Sequence, residues 1–239
     1  MTTWVCCALW LSVGCASDAE SFRLGEELLF EGDYAAARAA FLKLSQQESL
    51  LKDRAAYMSA LSIYRAGQYE AAAREWADLT RRTEDEYAGA RAQYGRAWAA
   101  IRLRDWAGAG MHLDRLPILF PESDLLHRGA FLRARLGDGP EFWRRSPSTA
   151  RWLSTFLPGA GQIYAGRYGN GAVSALLNGA FFYFLGKAVS DERWVDAAFI
   201  YFLGARFYWG GRQNAARFAN EYNERETERF IERLGRMGR

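Results

Sequence analysis

The chain has 239 residues, a net charge of +3 at pH 7 and a hydrophobic content of 50%. That length fits one large domain or two small ones, and the apolar content is sufficient for a core. The net charge is too small to indicate nucleic-acid binding, so we expect none. All 3 cysteines precede Ala16, which excludes a disulfide framework or a cysteine-based zinc site in the rest of the chain.

Residues 1–16 have the pattern of an export signal. Trp4–Val13 is an apolar run that is too short to span a bilayer and has the length of a signal core. The end of the segment, Leu11-Ser12-Val13-Gly14-Cys15, resembles the lipobox of bacterial lipoproteins, with Ser12 where a leucine is expected. On that interpretation Cys15 is lipidated; the alternatives are simple cleavage or a buried first helix of the repeats.

Residues 21–137 contain an internal repeat with a period of 35 residues. Two copies share a pattern of glycine, tyrosine, alanine and an aromatic residue: Gly32, Tyr34, Ala37 and Phe41 recur as Gly67, Tyr69, Ala72 and Trp76. A looser third copy carries Trp106, Ala109 and Leu113, with Arg104 in place of the turn glycine.

The spacing of the repeat predicts paired helices. Tyr34, Ala37 and Phe41 fall on one helix face, and the glycine tolerates the left-handed conformation at a helix end. A single pair cannot bury its apolar face, so neighbouring pairs must stack. This pattern resembles the tetratricopeptide repeat family, which implies a superhelical scaffold that binds partner proteins in its groove and implies no catalysis. The alternative is a generic helical bundle.

Residues 138–152 are interpreted as a linker. All 5 prolines of the chain lie at or after Pro117, and Gly137-Asp138-Gly139-Pro140 marks a change of organisation. Arginine and aromatic residues then alternate, which is typical of a membrane surface. The alternative is a buried aromatic packing site; the residues concerned are Phe142, Trp143, Arg144, Arg145, Arg151 and Trp152.

Residues 153–211 predict a two-helix membrane hairpin. Gly171–Gly186 carries no charge, and a second apolar run, Trp194–Gly211, follows the polar turn Ser190–Arg193. Each run is short against the roughly 20 residues of a full span, so a buried hairpin in a soluble domain is the alternative. The small residues Gly171, Ala175 and Gly179 form a stripe that favours close approach of the second helix or of another copy of the chain.

The hairpin is preceded by a glycine-rich stretch, residues 158–166, which we name the Pro-Gly motif. Its distinctive members are Pro158, Gly159, Gly161, Gln162, Tyr164 and Gly166. The stretch and the two runs after it resemble a two-helix membrane domain that opens with Pro-Gly-x-Gly-x-x-Tyr-x-Gly, and the resemblance implies no catalytic residues. The glycines permit a sharp reversal of the chain, and we expect Gln162 to satisfy freed backbone groups.

Two charges interrupt the second apolar run, Asp196 and Arg206. A separation of ten residues puts them about 15 Å apart along a helix axis, and we expect interfacial anchoring, with a role in transport as the alternative. Residues 212–239 are dense in charge and predict an amphipathic tail helix that docks on the membrane or on the repeats.

Together these patterns predict an all-α, membrane-tethered scaffold that mediates protein–protein interactions in the bacterial cell envelope. A cleaved signal places the repeats in the periplasm, whereas the arginines that flank the hairpin favour the cytoplasm, so both sides stay open. The two histidines, His112 and His127, lack metal-ligand spacing, and we expect no enzyme activity, metal or cofactor. The alternative function is a component of a transport or envelope-assembly system.

Overall fold

The computed structural model describes the backbone of residues 3–137 and 144–237, and the side chains of residues 17–137 and 144–236. Within these ranges every regular element is an α-helix and no strand occurs, which confirms the all-α prediction. The helices are α1 Thr3–Glu31, α2 Tyr34–Ser45, α3 Lys52–Arg65, α4 Tyr69–Arg82, α5 Glu86–Arg102, α6 Trp106–Leu119, α7 Leu126–Leu136, α8 Pro147–Phe156, α9 Ala160–Tyr164, α10 Tyr168–Ser190 and α11 Trp194–Met237.

The chain divides into two compact units. The first comprises residues 1–138 with residues 236–239, and the second comprises residues 139–235. The first unit therefore contains α1 to α7. The second contains α8 to α10 and nearly all of α11.

Three turns of the first unit share one backbone conformation. Gly32, Gly67 and Arg104 have φ values of +88°, +83° and +63°. In each turn this residue donates its N–H to the carbonyl three residues earlier, and the next residue donates to the carbonyl five residues earlier, as in Gly32 N to Leu29 O and Asp33 N to Leu28 O. This pair of bonds satisfies carbonyls left open at a helix end. The third copy therefore makes the same turn with an arginine.

The buried positions of the first unit recur with the turns. Ala37, Ala72 and Ala109 are fully buried, and so, to within 3%, are Phe41, Trp76 and Leu113. The alanine lets two helices approach, and the larger side chain fills the space beside it.

Trp76 is the largest fully buried side chain of this core. Its indole N–H donates to the carbonyl of Tyr57 at 3.3 Å, and its ring lies 6.0 Å from the ring of Tyr57 and 5.6 Å from that of Tyr64. A Cβ at Gly95 would lie 2.9 Å from the Trp76 ring. The ring therefore occupies space that only glycine leaves free on α5.

The second unit is dominated by its two long helices. Ser146 caps α8 by accepting the Thr149 N–H at 3.2 Å, and α10 covers 23 residues. A turn at Glu192, with φ +55°, leads into α11. One continuous helix of 44 residues then covers both the second apolar run and the charged tail, which the sequence analysis treats as separate segments.

Among the described helices, only α10 has the length and composition needed to cross a membrane. Its 23 residues correspond to about 34 Å of helix, against a hydrocarbon core of about 30 Å. The helix extends beyond the sixteen-residue run seen in sequence because Tyr168 to Asn170 and the residues up to Ser190 continue it at both ends.

Candidate functional site

The Pro-Gly motif forms a tight junction between α8, α9 and α10. Gly159 has φ +98°, and a Cβ on it would lie 2.3 Å from the carbonyl oxygen of Gly171. A Cβ on Gly161 would lie 1.9 Å from the carbonyl oxygen of Ala150. Both glycines are required because backbone contacts backbone, and Gly166, with φ +77°, makes the left-handed turn into α10.

Gln162 connects this junction to α11. The residue is only 2% exposed; its Oε1 accepts from the Ser154 hydroxyl at 2.9 Å, and its Nε2 donates to the carbonyl oxygen of Gly211 at 3.0 Å. Ser154 Oγ in turn accepts the Gly161 N–H at 3.1 Å. The buried amide thus pairs with a backbone carbonyl, and the serine links it back to the motif.

Tyr164 connects the Pro-Gly motif by hydrogen bonds to Arg145 and Ser146, which precede α8. Its hydroxyl accepts the Ser146 N–H at 3.1 Å, and its carbonyl accepts a guanidinium N–H of Arg145. The backbone of Arg145 exchanges two hydrogen bonds with the Asn223 side chain, at 2.7 and 2.9 Å. The Arg145 guanidinium lies 3.8 Å from the ring centroid of Tyr222.

The charged tail is therefore part of this junction. Arg167 pairs with Glu221 at 2.9 Å, and a small core forms from α8, the residue that follows α9, and α11: Ala150, Ala165, Ala215, Phe218 and Ala219. The sequence analysis missed the contact between Arg145 and Asn223, which lie 78 residues apart. The alanine and phenylalanine spacing within residues 215–219 is the one local signal that could have indicated a packed face.

A cavity of about 440 Å³ lies next to Gln162, between α10 and α11. Its polar lining includes Gln162, Ser174 and Asn178, and the guanidinium-bearing side chain of Arg206 also borders it. Two further asparagines, Asn170 and Asn214, also line it, together with the apolar side chains of Val173, Leu177, Phe207 and Phe218. Its volume is in the range of small-molecule sites.

Contacts between α10 and α11 show which part of α10 Arg206 lies against. A Cβ at Gly204 would lie 1.9 Å from the Phe181 ring, and one at Gly211 would lie 3.4 Å from Ser174 Oγ. Both contacts belong to one antiparallel register, which puts Arg206 opposite Gly179, near the middle of α10. Arg206, which the sequence analysis expected as an interfacial anchor, therefore lies opposite the middle of α10.

Asp196 lies near the turn that joins α10 to α11. It pairs with Arg193 in the first turn of α11, where a carboxylate also faces the positive end of the helix dipole. Asp196 does not border the cavity that Arg206 borders. The structure therefore does not bring the two charges together.

The stripe of small residues on α10 is divided between two surroundings. A Cβ on Gly171 would lie 2.5 Å from Ile163 Cγ1, so this end packs against α9, whereas Cβ atoms on Gly179 and Gly186 would meet nothing within 4 Å. The close approach between α10 and α11 uses Gly204 of α11 instead. The stripe is thus not the contact with the second helix that the sequence suggested.

In the first unit, α3 and α5 carry a cluster that we name the tyrosine–arginine surface: Arg54, Tyr57, Tyr87 and Arg91. The guanidinium carbons of Arg91 and Arg54 lie 3.5 and 4.7 Å from the Tyr87 ring centroid. Arg91 donates two hydrogen bonds of 3.2 Å to Asp124. Burial raises the pKa of Tyr57 to about 12.

His112 lies in a cationic part of the first unit. Its burial, with the nearby guanidinium groups of Arg96 and Arg115, lowers its pKa from 6.5 to about 4. Gln93 donates to the His112 carbonyl at 2.9 Å and accepts from Arg96 at 3.1 Å. Over the residues that the structure describes, no group of three or more His, Cys, Asp and Glu side chains is arranged to hold a metal ion.

Two predicted features lie outside the described side chains. One is the lipidation candidate Cys15 with the rest of residues 1–16, and the other is the part of the linker at residues 138–143.

No protein-family model matches the chain, and comparison with curated proteins and with solved structures gives no match.

Proposed function

We propose that the chain is a membrane-tethered helical-repeat scaffold of the bacterial cell envelope. The second unit anchors the chain in the bilayer as a two-helix hairpin, α10 and the first half of α11. The first unit presents a tetratricopeptide-like array to partner proteins. The observation that carries the proposal is the apolar surface of the hairpin.

Large apolar side chains are exposed along both helices of the hairpin. Leu176 is 74% exposed on α10, and Phe202 is 78% exposed on α11. Others accompany them: Val173, Leu177, Phe182, Tyr183, Phe184, Val195, Phe199, Tyr201, Leu203, Phe207 and Trp209. Soluble monomers rarely expose a continuous apolar surface of this extent, and lipid is the solvent in which it carries no cost.

The aromatic side chains at the ends of the hairpin also favour a location in the membrane. Trp152, Tyr168 and Trp194 are each more than 60% exposed, and such side chains are enriched at membrane interfaces. Arg206 lies beside a cavity with partly polar walls, the environment in which an arginine is tolerated at membrane depth.

The partner-binding role rests on the first unit. Three helix pairs with equivalent turns and equivalent buried residues support a tetratricopeptide-like array. The tyrosine–arginine surface on α3 and α5 supplies aromatic faces and guanidinium groups, which are the side chains enriched where proteins bind each other.

Flotation of the full chain with phospholipid vesicles tests the membrane anchor. We expect the chain to float, and we expect Leu176→Asp with Phe202→Asp to leave it in the soluble or aggregated fraction. Phe30→Asp is the matched control, because Phe30 is 95% exposed but lies on α1. A chain that floats equally well with both aspartates has no anchor at these helices.

The side of the membrane on which the repeats lie needs a separate measurement. Reporter fusions after residues 60, 191 and 239 give the topology, since the turn at residue 191 must lie opposite to the other two positions in a spanning hairpin. The Cys15→Ala variant shows in the same assay whether lipidation is needed for export.

The tyrosine–arginine surface is tested by cross-linking in cells. We expect a photoreactive residue at position 87 to capture defined proteins, and the same probe at Phe30 to capture none of them. Identical products from both positions would contradict a role for α3 and α5 in partner binding.

A further inference from the structure

The helix α8 lies lengthwise against α11, as hydrogen bonds at its two ends show. Arg145, just before α8, exchanges hydrogen bonds with the Asn223 side chain. Near the other end of α8, the carbonyl of Thr155 accepts the Tyr208 hydroxyl at 2.6 Å. Asn223 and Tyr208 are about 22 Å apart along the axis of α11. The C-terminal end of α8 therefore points toward the turn that joins α10 to α11.

The chain reverses after α8 at a level that α10 defines. A Cβ on Gly159 would lie 3.2 Å from Ala175 Cβ, and Ala175 is about 10 Å along the axis from Tyr168, the first residue of α10. The chain then returns through α9 to Arg167, which pairs with Glu221 of α11. The reversal thus lies beside the first third of α10, while both ends of the segment lie at the start of that helix.

The outer face of this segment is apolar. Residues 152–166 contain no charged side chain. Phe156, Leu157 and Trp152 are 81%, 66% and 62% exposed, and the rings of Trp152 and Phe156 stack at 5.8 Å. Phe156 and Leu157 lie close to the level of Leu176, which is exposed on α10. The segment therefore continues the apolar surface of the hairpin.

The polar groups of the segment face inward and are paired. Ser154 and Gln162 are each 2% exposed and bond to each other, and the Gly161 N–H donates to Ser154 Oγ. The Thr155 hydroxyl donates to the Arg151 carbonyl at 2.9 Å. Irregular backbone is tolerated at membrane depth where protein buries it. This reversal meets that condition, because Gly159 and Gly161 are buried.

We propose that residues 147–166 form a re-entrant loop, which enters the same leaflet as the start of α10 and returns to the same side. Phe156 and Leu157, near the tip of the re-entrant loop, contact the acyl chains of that leaflet. The inference rests on the membrane location proposed above for α10 and α11. The second unit then contacts the bilayer through three elements, and the Pro-Gly motif is the reversal inside the membrane.

Spin labels along α8 test the depth of the re-entrant loop in the full chain reconstituted into phospholipid vesicles. The labelled variants are Thr149→Cys, Trp152→Cys and Phe156→Cys, three exposed positions on one face of α8. The three native cysteines are replaced by serine: Cys6, Cys7 and Cys15. Collision with oxygen, which concentrates in the bilayer, and with a water-soluble nickel chelate gives the depth of each label.

We expect the depth to increase in order along α8, by up to about 10 Å from residue 149 to residue 156. A label at Leu176→Cys provides the reference within the leaflet, and we expect residue 156 to match its depth. Labels at Phe30→Cys and Asn220→Cys are the references in water, because both residues are exposed, on α1 and at the base of the re-entrant loop. All labelled positions are exposed, so the labels replace no buried side chain.

Each contrary result identifies what is wrong. Equal depths at the three positions of α8 mean that the helix lies flat in the headgroup layer, which overturns the re-entrant loop. A label at residue 156 that neither reagent reaches is covered by protein, which overturns its contact with acyl chains.

The label at residue 176 separates this inference from the proposed anchor. If residue 176 is protected from the nickel chelate and residue 156 is not, the hairpin anchor stands and the re-entrant loop is overturned. If the chelate reaches both residues, the anchor itself is overturned and the re-entrant loop with it.

Discussion

The side-chain amide of Gln162 donates to the carbonyl oxygen of Gly211 at 3.0 Å, across 49 residues of chain. The bond joins the Pro-Gly motif to the helix that carries both the second apolar run and the charged tail. The other end of the Gln162 amide is also bonded, because the Ser154 hydroxyl donates to Gln162 Oε1 at 2.9 Å. The motif thus acts as a joint between α8, α9 and α11, and its most polar residue is also one of its most buried.

The first prediction concerns this joint. Gln162→Leu removes these two hydrogen bonds and the longer one from Nε2 to Ser174 Oγ at 3.4 Å, and it leaves the Ser154 hydroxyl buried without its acceptor. We expect the free energy of unfolding of the second unit to fall by about 2 kcal/mol, measured by urea titration of the full chain in detergent. Gln213→Leu, on an exposed position of α11, is the control; an equal loss in both variants would contradict the role of the amide.

The second prediction compares two glycines of the second unit. A Cβ on Gly161 would lie 1.9 Å from the Ala150 carbonyl oxygen, whereas one on Gly179 would meet nothing within 4 Å. Backbone cannot move away as a side-chain tip can, so we expect Gly161→Ala to lower the midpoint of thermal unfolding severely. Gly179→Ala should leave or raise it, since alanine favours a helix interior by about 1 kcal/mol. Equal midpoints for the two variants would refute the close packing of α8 on α9.

The third prediction concerns the turns of the first unit. Arg104 has φ +63°, a conformation that costs an ordinary residue roughly 1–2 kcal/mol. We expect Arg104→Gly to raise the free energy of unfolding by roughly 0.5–1 kcal/mol, after the entropy of glycine in the unfolded chain is subtracted. Gly67→Ala should lower it by about 1 kcal/mol, because φ there is +83° and nothing within 4 Å obstructs a Cβ.

Leu103 provides the control for that comparison. It precedes Arg104 and has an ordinary φ of −78°, so glycine offers no conformational relief there. Leu103→Gly should therefore destabilise the unit. If Arg104→Gly and Leu103→Gly change the urea midpoint in the same direction, the left-handed turn is not what limits stability at residue 104.

The fourth prediction is a pH dependence. Burial and the guanidinium groups of Arg96 and Arg115 lower the folded pKa of His112 from 6.5 to about 4. Between these two values the unfolded chain binds more protons than the folded one, so stability falls as the pH falls through that window. The contribution of neutral His112 is complete above about pH 6.5.

Thermal unfolding at intervals from pH 7 to pH 4 measures this effect. We expect His112→Gln to make the unfolding temperature fall less steeply over the window. His127→Gln, at the second of the 2 histidines, should follow the unaltered chain. A profile that is equally steep in all three proteins would assign the dependence to carboxyl groups instead.

Much of the local structure was predictable because it depends on neighbours in sequence. The spacing of Tyr34, Ala37 and Phe41 predicted which side of a helix is buried, and Ala37 and Phe41 are fully buried. Gly32 and Gly67 predicted two left-handed turns, and both have positive φ. Arg104 gave no such signal, because its side chain does not favour the conformation that the fold imposes on it.

Sequence by itself therefore determined the helical class, the repeated turns and the two apolar runs, since periodicity and backbone preference act over a few residues. Only the tertiary structure decided what those runs contact. It brought Gln162 to Gly211 and Arg145 to Asn223, it put Arg206 opposite Gly179, and it joined the second run to the tail in α11. The physical reason is that such contacts depend on the register of two helices, and register is set by how Phe181 fits against Gly204.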